Sequence, residues 1–460
     1  MAAQEVHALV VAWSFDEGDR LGEVALLPGP EAVMLGRGTG RAKGVIPRLT
    51  FLQQRPAKNL ETGPLRGKGI SREHVRLEPR ADGVAFERLG QTATLVNGQA
   101  LDAGTVRPGD TLSIEDQLVL FCTRRPTVMP PLRSFPDRLE FPFGRADPFG
   151  HVGESPRLWA LRDNIAFHAP GDEHVLIFGA SGTGKELVAR TLHALSRRSK
   201  RLMISRNAAT LPSALIDAEL FGNARSYPNA GMPERPGLIG EASGGALFLD
   251  EIGEATPELQ AHLLRVMDGG EYTRLGDATP RRADLRIFAA TNREPWELKH
   301  DFAARLPARI VTLRLQEHRD DIPLIVRHLL ALAAARSPES FRRFVPEGSV
   351  DPRVDPRLIE LALHHPWPLN VRDLDGLLTR AAAGSAVDLI ECPPEQAVRP
   401  EPASERPEPS REEIAACLTK HGGNQSRTWR ELGLKNRFVF YRLLKKHGLA
   451  ATEPTEGDED

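Results

Sequence analysis

Apolar positions along the chain change their spacing several times, and each change marks a different kind of structure. Over residues 1–125 they come in short runs separated by glycine and turn residues: VHALVVAW, GEVALLP, AVMLGRG, HVRLEP, GVAFERLG, ATLVNGQ, DTLSIED and LVLFC. Runs of this length and spacing predict an all-β sandwich or barrel. Residues 126–148 carry prolines and no periodicity. They predict a linker, because proline lacks a backbone donor and restricts its neighbour. Over 149–320, strand-like runs (HVLIFG, LMISRN, ALFLDE, LRIFAATN, IVTLRL) are interspersed with helical stretches such as KELVARTLHALSRR and PELQAHLLRVMDGG. That alternation predicts an α/β domain with a mainly parallel sheet. Residues 321–392 look helical throughout, with apolar positions at period 3.6 in IPLIVRHLLALAAARS and VRDLDGLLTRAAAGS, and read as a lid. Residues 393–410 hold six prolines, four glutamates and two arginines, a composition that cannot bury a core and predicts a tether. Residues 411–449 show three short helical patterns broken at HGGN and LGLKN, and 450–460 form an acidic tail. No repeat at a solenoid period is visible.

Composition adds limits to this multidomain picture. Sixty Lys and Arg against sixty-two Asp and Glu leave a formal charge of −2, so no global field marks the chain as a binder of polyanions or membranes. The charge is local instead: residues 411–449 carry nine Lys or Arg against three Glu, a net of +6, while Glu453 to Asp460 add five acidic residues. Cys122, Cys392 and Cys417 are odd in number and far apart, which argues against a disulfide framework or a thiolate zinc site and fits a reducing cytosol. The N-terminus has no basic region before an apolar core, and LLALAAA near position 330 is far short of the roughly 20 residues that cross a bilayer. A soluble, cytoplasmic protein with no membrane partner is expected.

The strongest chemical signal is GASGTGKE, comprising Gly179, Ala180, Ser181, Gly182, Thr183, Gly184, Lys185 and Glu186. It follows the strand HVLIF and opens the helix KELVARTLH, as a phosphate-binding loop requires. Its glycines permit backbone angles that aim successive N–H groups at anionic oxygens, and Lys185 adds a point charge. Glu186 stands where the general loop has a Ser or Thr hydroxyl for Mg²⁺. About 65 residues on, GGALFLDEIGE places Asp250 and Glu251 at the end of an apolar strand. There one carboxylate can hold Mg²⁺ and the other can polarise water.

With these motifs in place, Phe149 to about Ala383 resembles the central AAA+ ATPase of sigma-54-dependent transcriptional activators, the bacterial enhancer-binding proteins. That family itself carries GKE in this loop. The resemblance implies ATP and Mg²⁺ as cofactors, with Asp250 and Glu251 as the Walker B pair and Asp250 as the metal ligand. Asn207 in RNAATLP aligns with the asparagine that restrains the catalytic glutamate. Thr291 and Asn292 in AATN resemble sensor one, and Arg372 in HHPWPLNVRDL resembles the sensor-two arginine, with Leu369 in place of a glycine. Two segments depart from the family. SYPNAG at Ser226 to Gly231 stands where the family has GAFTGA, its grip on sigma-54, and Pro228 replaces the phenylalanine. In LKHDFAARL, Arg305 matches one trans-acting arginine finger while Lys299 occupies the position of the other. Lysine loses the planar fork, and an arginine finger contributes about 10³ to 10⁵ in rate, so slow hydrolysis at an intersubunit site is implied.

The flanking regions carry resemblances of their own. GRG at Gly36 to Gly38, SREH at Ser71 to His74 and VNG at Val96 to Gly98 follow the order of a forkhead-associated (FHA) domain, a sandwich that binds phosphothreonine peptides. Arg37 can give charge-assisted bonds to a phosphate and Ser71 a hydroxyl donor; Arg72 is a second cation, while His74 braces the loop. Thr92 replaces the asparagine that grips the peptide backbone. HGGNQSRTWRELGLKNRFVFYRLLKKHGL resembles the Fis-like, all-α helix-turn-helix that ends most enhancer-binding proteins. It implies a second helix in the major groove, with Asn436, Arg437 and Arg442 at bases and Lys445 and Lys446 at phosphates.

Together the resemblances imply a transcriptional regulator that couples phosphothreonine sensing to a DNA-bound AAA+ ring. Its partners would be an upstream promoter element, sigma-54 RNA polymerase, a phosphothreonine protein or Ser/Thr kinase, and further copies of itself. The SYPNAG loop and Lys299 keep a second reading open: a phospho-gated DNA-binding scaffold or repressor that binds ATP without remodelling polymerase.

Overall fold

The structure, a computed structural model, describes residues 4–38, 46–212, 215–346, 349, 351–394, 410–421, 428, 431–432 and 443–444. The chain divides into two compact units, residues 1–397 and 398–460.

In the first unit the N-terminal apolar runs become strands β1 (Glu5–Ser14), β2 (Val24–Leu27), β3 (Val33–Leu35), β4 (Phe51–Arg55), β5 (Lys58–Gly63), β6 (Val75–Pro79), β7 (Val84–Arg88), β8 (Thr94–Val96), β9 (Gln99–Ala100), β10 (Ala103–Val106), β11 (Thr111–Ile114) and β12 (Leu118–Pro126). Eight pair in the order β5-β4-β2-β1-β12-β11-β8-β9 and four in the order β10-β7-β6-β3. Residues alternate between faces at period 2, so Val75 and Leu77 of β6 point inward while Arg76 is exposed. Leu9, Phe51, Leu77, Phe86 and Leu120 fill the core between the sheets.

The α/β region is a five-stranded parallel sheet in the order β14-β15-β18-β13-β19. Its strands are β13 (Val175–Phe178), β14 (Met203–Asn207), β15 (Ala246–Asp250), β18 (Arg286–Thr291) and β19 (Ala308–Val311), and β16 (Glu271–Tyr272) with β17 (Arg281–Arg282) makes a separate hairpin. Both faces of the central strands β13, β15 and β18 are covered, which is why these are nearly continuous apolar runs, while the edge strands β14 and β19 carry exposed residues. Ala246 and Phe248 pack with Leu158, Ile165, Val188 and Leu192 of helices α1 (Pro156–His168) and α2 (Lys185–Leu195). Leu247 and Leu249 pack on the other side with Ile216 and Leu220 of α3 (Ile216–Phe221), Leu238 of α4 (Gly237–Glu241), Leu259 and Leu263 of α5 (Pro257–Gly269) and Phe302 of α6 (His300–Ala304). Ser155 and Thr256 cap α1 and α5, each accepting a backbone N–H three residues on and each followed by Pro, the usual N-terminal signature.

Beyond the sheet come α7 (Ile322–Arg336), α8 (Pro338–Phe341), α9 (Pro356–His364) and α10 (Val371–Gly384). Leu324, Leu358, Ile359 and Leu374 of this helical part share one core with Ala12, Val119 and Phe121 of the sandwich. Trp13 donates its indole N–H to the Val354 carbonyl at 2.9 Å. The sandwich is therefore packed against the helices.

The stretch read as a linker contains no helix or strand beyond Pro126, yet it is pinned to α1. Asp163 accepts the backbone N–H groups of Arg133, Ser134 and Phe135, and Phe135 and Phe141 lie on Trp159 at ring distances of 5.9 and 5.8 Å. The second unit shows α11 (Arg411–Lys420), opened by a reciprocal Ser410–Glu413 capping box. Its Ile414 packs with Leu443 and Leu444. Among the described residues no helix is long and apolar enough to cross a membrane.

Candidate nucleotide site

The sheet order places β13 between β18 and β19, and the loop after β13 turns back over the sheet's carboxyl edge, where ligands of open α/β sheets bind. Gly182 and Gly184 adopt φ of 74° and 86°, a region that favours glycine. A side chain on Gly182 would also collide with the Leu369 carbonyl. Gly184 caps α2, so the loop leads directly to a helix N-terminus. Lys185 Nζ donates to the carbonyls of Gly179 and Ala180 at 2.9 and 3.1 Å. Burial lowers its pKa, against the pull of Asp250 and Glu251.

The two acidic residues meet the loop across a cavity of about 490 Å³. Asp250, at the end of β15, accepts its neighbour's N–H at 2.9 Å, and burial raises its pKa. Glu251 sits at φ 54°, strained for a residue with a side chain. Its carboxylate accepts 2.8 Å from Asn207 Nδ2, and Asn207 is opposite Asp250 in the β14–β15 register. The structure thus brings together the asparagine and glutamate that the sequence paired by resemblance. Asn292 lines the same cavity, and the buried Thr291 ties β18 to the loop by accepting Gly179 N at its carbonyl, 3.1 Å. Arg372 reaches over from α10 to Ser181 Oγ at 3.2 Å.

The Glu186 carboxylate pairs along the exposed face of α2 with Arg190 at 2.6 Å. Lys299 and Arg305 are not gathered to the cavity. Lys299 Nζ donates to the Pro257 carbonyl at 2.9 Å, and Arg305 forks onto Asp268.

Two residues that the sequence reading did not single out complete the frame. Asn370, 2% exposed and at φ 53°, donates to the Ser181 carbonyl at 2.9 Å and accepts from Leu315 N at 2.9 Å. Thr312, just past the end of β19, meets Thr183 hydroxyl to hydroxyl at 2.6 Å. His151 also lines the cavity; burial drives its pKa down to about 4, and its Nε2 meets Thr191 Oγ1 at 2.9 Å.

The segment at Ser226 to Gly231 is a closed loop. Ser226 N donates to Met232 O at 2.8 Å, and Tyr227 lies over Gly276. Its frame is Asn223, whose side-chain amide reaches the carbonyls of Ala224, Tyr227 and Pro233 at 3.0, 3.2 and 3.0 Å.

On the sandwich, Arg37 Nε donates to Ile70 O at 2.7 Å, and Gly36 packs so closely on the backbone of Ser71 and Arg72 that only glycine fits. His74 accepts Ser71 N at 3.2 Å and meets the Thr92 carbonyl at 3.2 Å. Burial lowers its pKa, so the neutral ring holds the loop as a brace. Asn436, Arg437, Arg442, Lys445 and Lys446 lie outside the described residues. Cys417, His421 and Glu431 bring ligand-type atoms within 4.8 Å of one another, but the carboxylate of Glu431 is already held by Lys420 and His421.

A parallel sheet with a glycine loop, a helix-opening lysine and an acidic pair on the next strand but one defines the P-loop class of α/β proteins. Residues 151–316 match the family described as the Sigma-54 interaction domain. The Transcriptional regulatory protein ZraR of Salmonella typhimurium is 35% identical over 322 residues, covering 66% of this chain and 71% of that protein. The DNA-binding transcriptional regulator NtrC of Bradyrhizobium is 38% identical over 256 residues, 54% of this chain and 51% of its own. Among solved structures, NtrX from Brucella abortus in complex with ATP aligns with a TM-score of 0.47 and 29% identity, over 65% of this chain and 69% of that one. The chain belongs to the sigma-54-dependent transcriptional regulators.

Proposed function

We propose that the chain is an ATP-dependent transcriptional regulator in which an N-terminal FHA-like domain senses a phosphothreonine protein and a C-terminal helix-turn-helix holds an AAA+ ring on DNA. The observation that carries the ATP reading is the convergence of Lys185, Asp250, Glu251 and, through Ser181, Arg372 on one cavity. Lys185 and the loop N–H groups would bind the phosphates. Asp250, a hard oxygen donor at the cavity edge, fits Mg²⁺, which takes one or two carboxylates beside phosphate oxygens. Bound there, Mg²⁺ supplies positive charge against the phosphate oxygens. Glu251 orients a water and takes its proton, and Asn207 restrains that carboxylate. Lys299 and Arg305, held away from their own cavity, suit a site completed by a neighbouring subunit.

The phosphothreonine reading is supported by the order of Gly36–Arg37, Ser71 and the buried His74 brace. Titration of a phosphothreonine peptide should show binding to wild type and at least about tenfold weaker binding to Arg37→Ala, the loss of a charge-assisted bond. Equal affinities would reject the pocket.

A second reading, the scaffold or repressor that binds ATP without remodelling polymerase, is favoured by the SYPNAG loop and by Lys299 in a finger position. The two separate in one experiment: the purified protein, trapped with ADP and aluminium fluoride, is run with sigma-54. Co-migration supports the activator, and its absence in a trapped, nucleotide-loaded sample supports the scaffold.

A further inference from the structure

The nucleotide cavity is walled in part by two segments distant in sequence, Gly150 to Val152 before α1, and Leu315 and His318 leading into α7 with Ile325 in its first turn. Both are gripped from behind by the sandwich. Arg125, near the end of β12 and 1% exposed, donates to the Glu154 carbonyl at 2.9 Å and pairs with Asp320 at 2.7 Å. Asp321 closes the link between the segments, accepting the N–H groups of Glu154 and Ser155 at 2.7 and 2.9 Å and meeting His318 at 3.1 Å. A second arm comes from Arg55 of β4, which pairs with the buried Glu154 carboxylate at 2.7 Å.

We propose that Arg125 is a positioning residue for the nucleotide cavity, cross-linking the 150–154 and 315–325 segments so that they meet at the spacing a bound nucleotide needs. The inference rests on the reading of this cavity as a nucleotide site. Arg125 does not itself line the cavity; it acts through the Glu154 carbonyl and the Asp320 carboxylate. Its guanidinium is suited to this because its fork serves two acceptors in fixed directions at once, which a lysine ammonium on a flexible stem does not. Removing Arg125 alone leaves the Asp320 charge buried and unpaired, which is strongly destabilising, whereas replacing both partners by uncharged groups is far better tolerated.

The test uses the full chain and a fluorescent ATP analogue, with melting temperature measured alongside. The double variant Arg125→Met with Asp320→Asn removes the cross-link without stranding a charge. It is expected to melt within a few degrees of wild type and to bind the analogue about tenfold more weakly, a change of about 1.4 kcal/mol. Arg125→Lys, which keeps the pair with Asp320 but not both directions of the fork, should fall between the two. A double variant that binds within twofold of wild type overturns the proposal, as does a lowered melting temperature with unchanged affinity, the mark of a purely structural contact. A wild type that binds no analogue, matching Lys185→Ala, overturns the nucleotide reading and this inference with it.

Discussion

Exchanging Glu251 for Gln will slow ATP turnover by about 100- to 10,000-fold, the range general base catalysis contributes, while leaving nucleotide affinity within about threefold of wild type. The split follows from the geometry. Glu251 is at φ 54° and accepts from Asn207 Nδ2 at 2.8 Å. A glutamine fills the same volume and can still accept that bond, so the backbone and the phosphate loop keep their places. What it loses is the basicity that takes a proton from water. Steady-state phosphate release gives kcat, and titration with a fluorescent analogue gives affinity. Turnover within threefold of wild type would mean that Glu251 does not act on water and that its bond to Asn207 is only a structural tie.

Lys185→Ala will weaken nucleotide binding about 100-fold, since hydrogen bonds to charged groups contribute about 1.5–3 kcal/mol each and 2.7 kcal/mol corresponds to a factor of 100. The ammonium meets the carbonyls of Gly179 and Ala180, at the start of the loop whose residues Ser181 to Glu186 line the cavity. Its removal takes away a point charge without disturbing α2, whose core contacts come from Val188, Ala189 and Leu192. The readout is again the analogue titration, with melting temperature as the control for folding. Affinity within threefold of wild type would rule out this loop as the phosphate site.

The phosphate loop was legible in the sequence because its requirements are local: positive φ at Gly182 and Gly184, and a lysine opening a helix, all within six residues. The central strands of the sheet were legible for a related reason, since strands covered on both faces need apolar residues at nearly every position. Asn207 and Glu251, forty-four residues apart, could be paired only through family resemblance. Asn370 and Thr312 escaped because their bonds to Ser181 and Thr183 are long-range, and a lone Asn or Thr beside a turn gives no sign of its distant partner. Arg125 was hidden more deeply. An arginine at a strand's end reads as a solvated charge, and only the fold shows it buried against Asp320. Residues 126–148 read as a linker from their prolines and lack of periodicity, and nothing in that pattern announces that Asp163 holds three of their backbone N–H groups. The groove residues assigned to the helix-turn-helix lie outside the described residues.

The framing of the loop at 226–231 by Asn223 carries a consequence for how this protein diversifies. The loop is fastened largely from one residue before it: Asn223 holds a carbonyl on each flank and that of Tyr227 within, and its backbone bridges to Arg235. Those bonds fall on backbone carbonyls, which every residue type carries, so the fastening at Asn223 does not depend on which side chains the loop presents. Side chains on the loop can therefore change while its backbone stays fastened to the domain beneath.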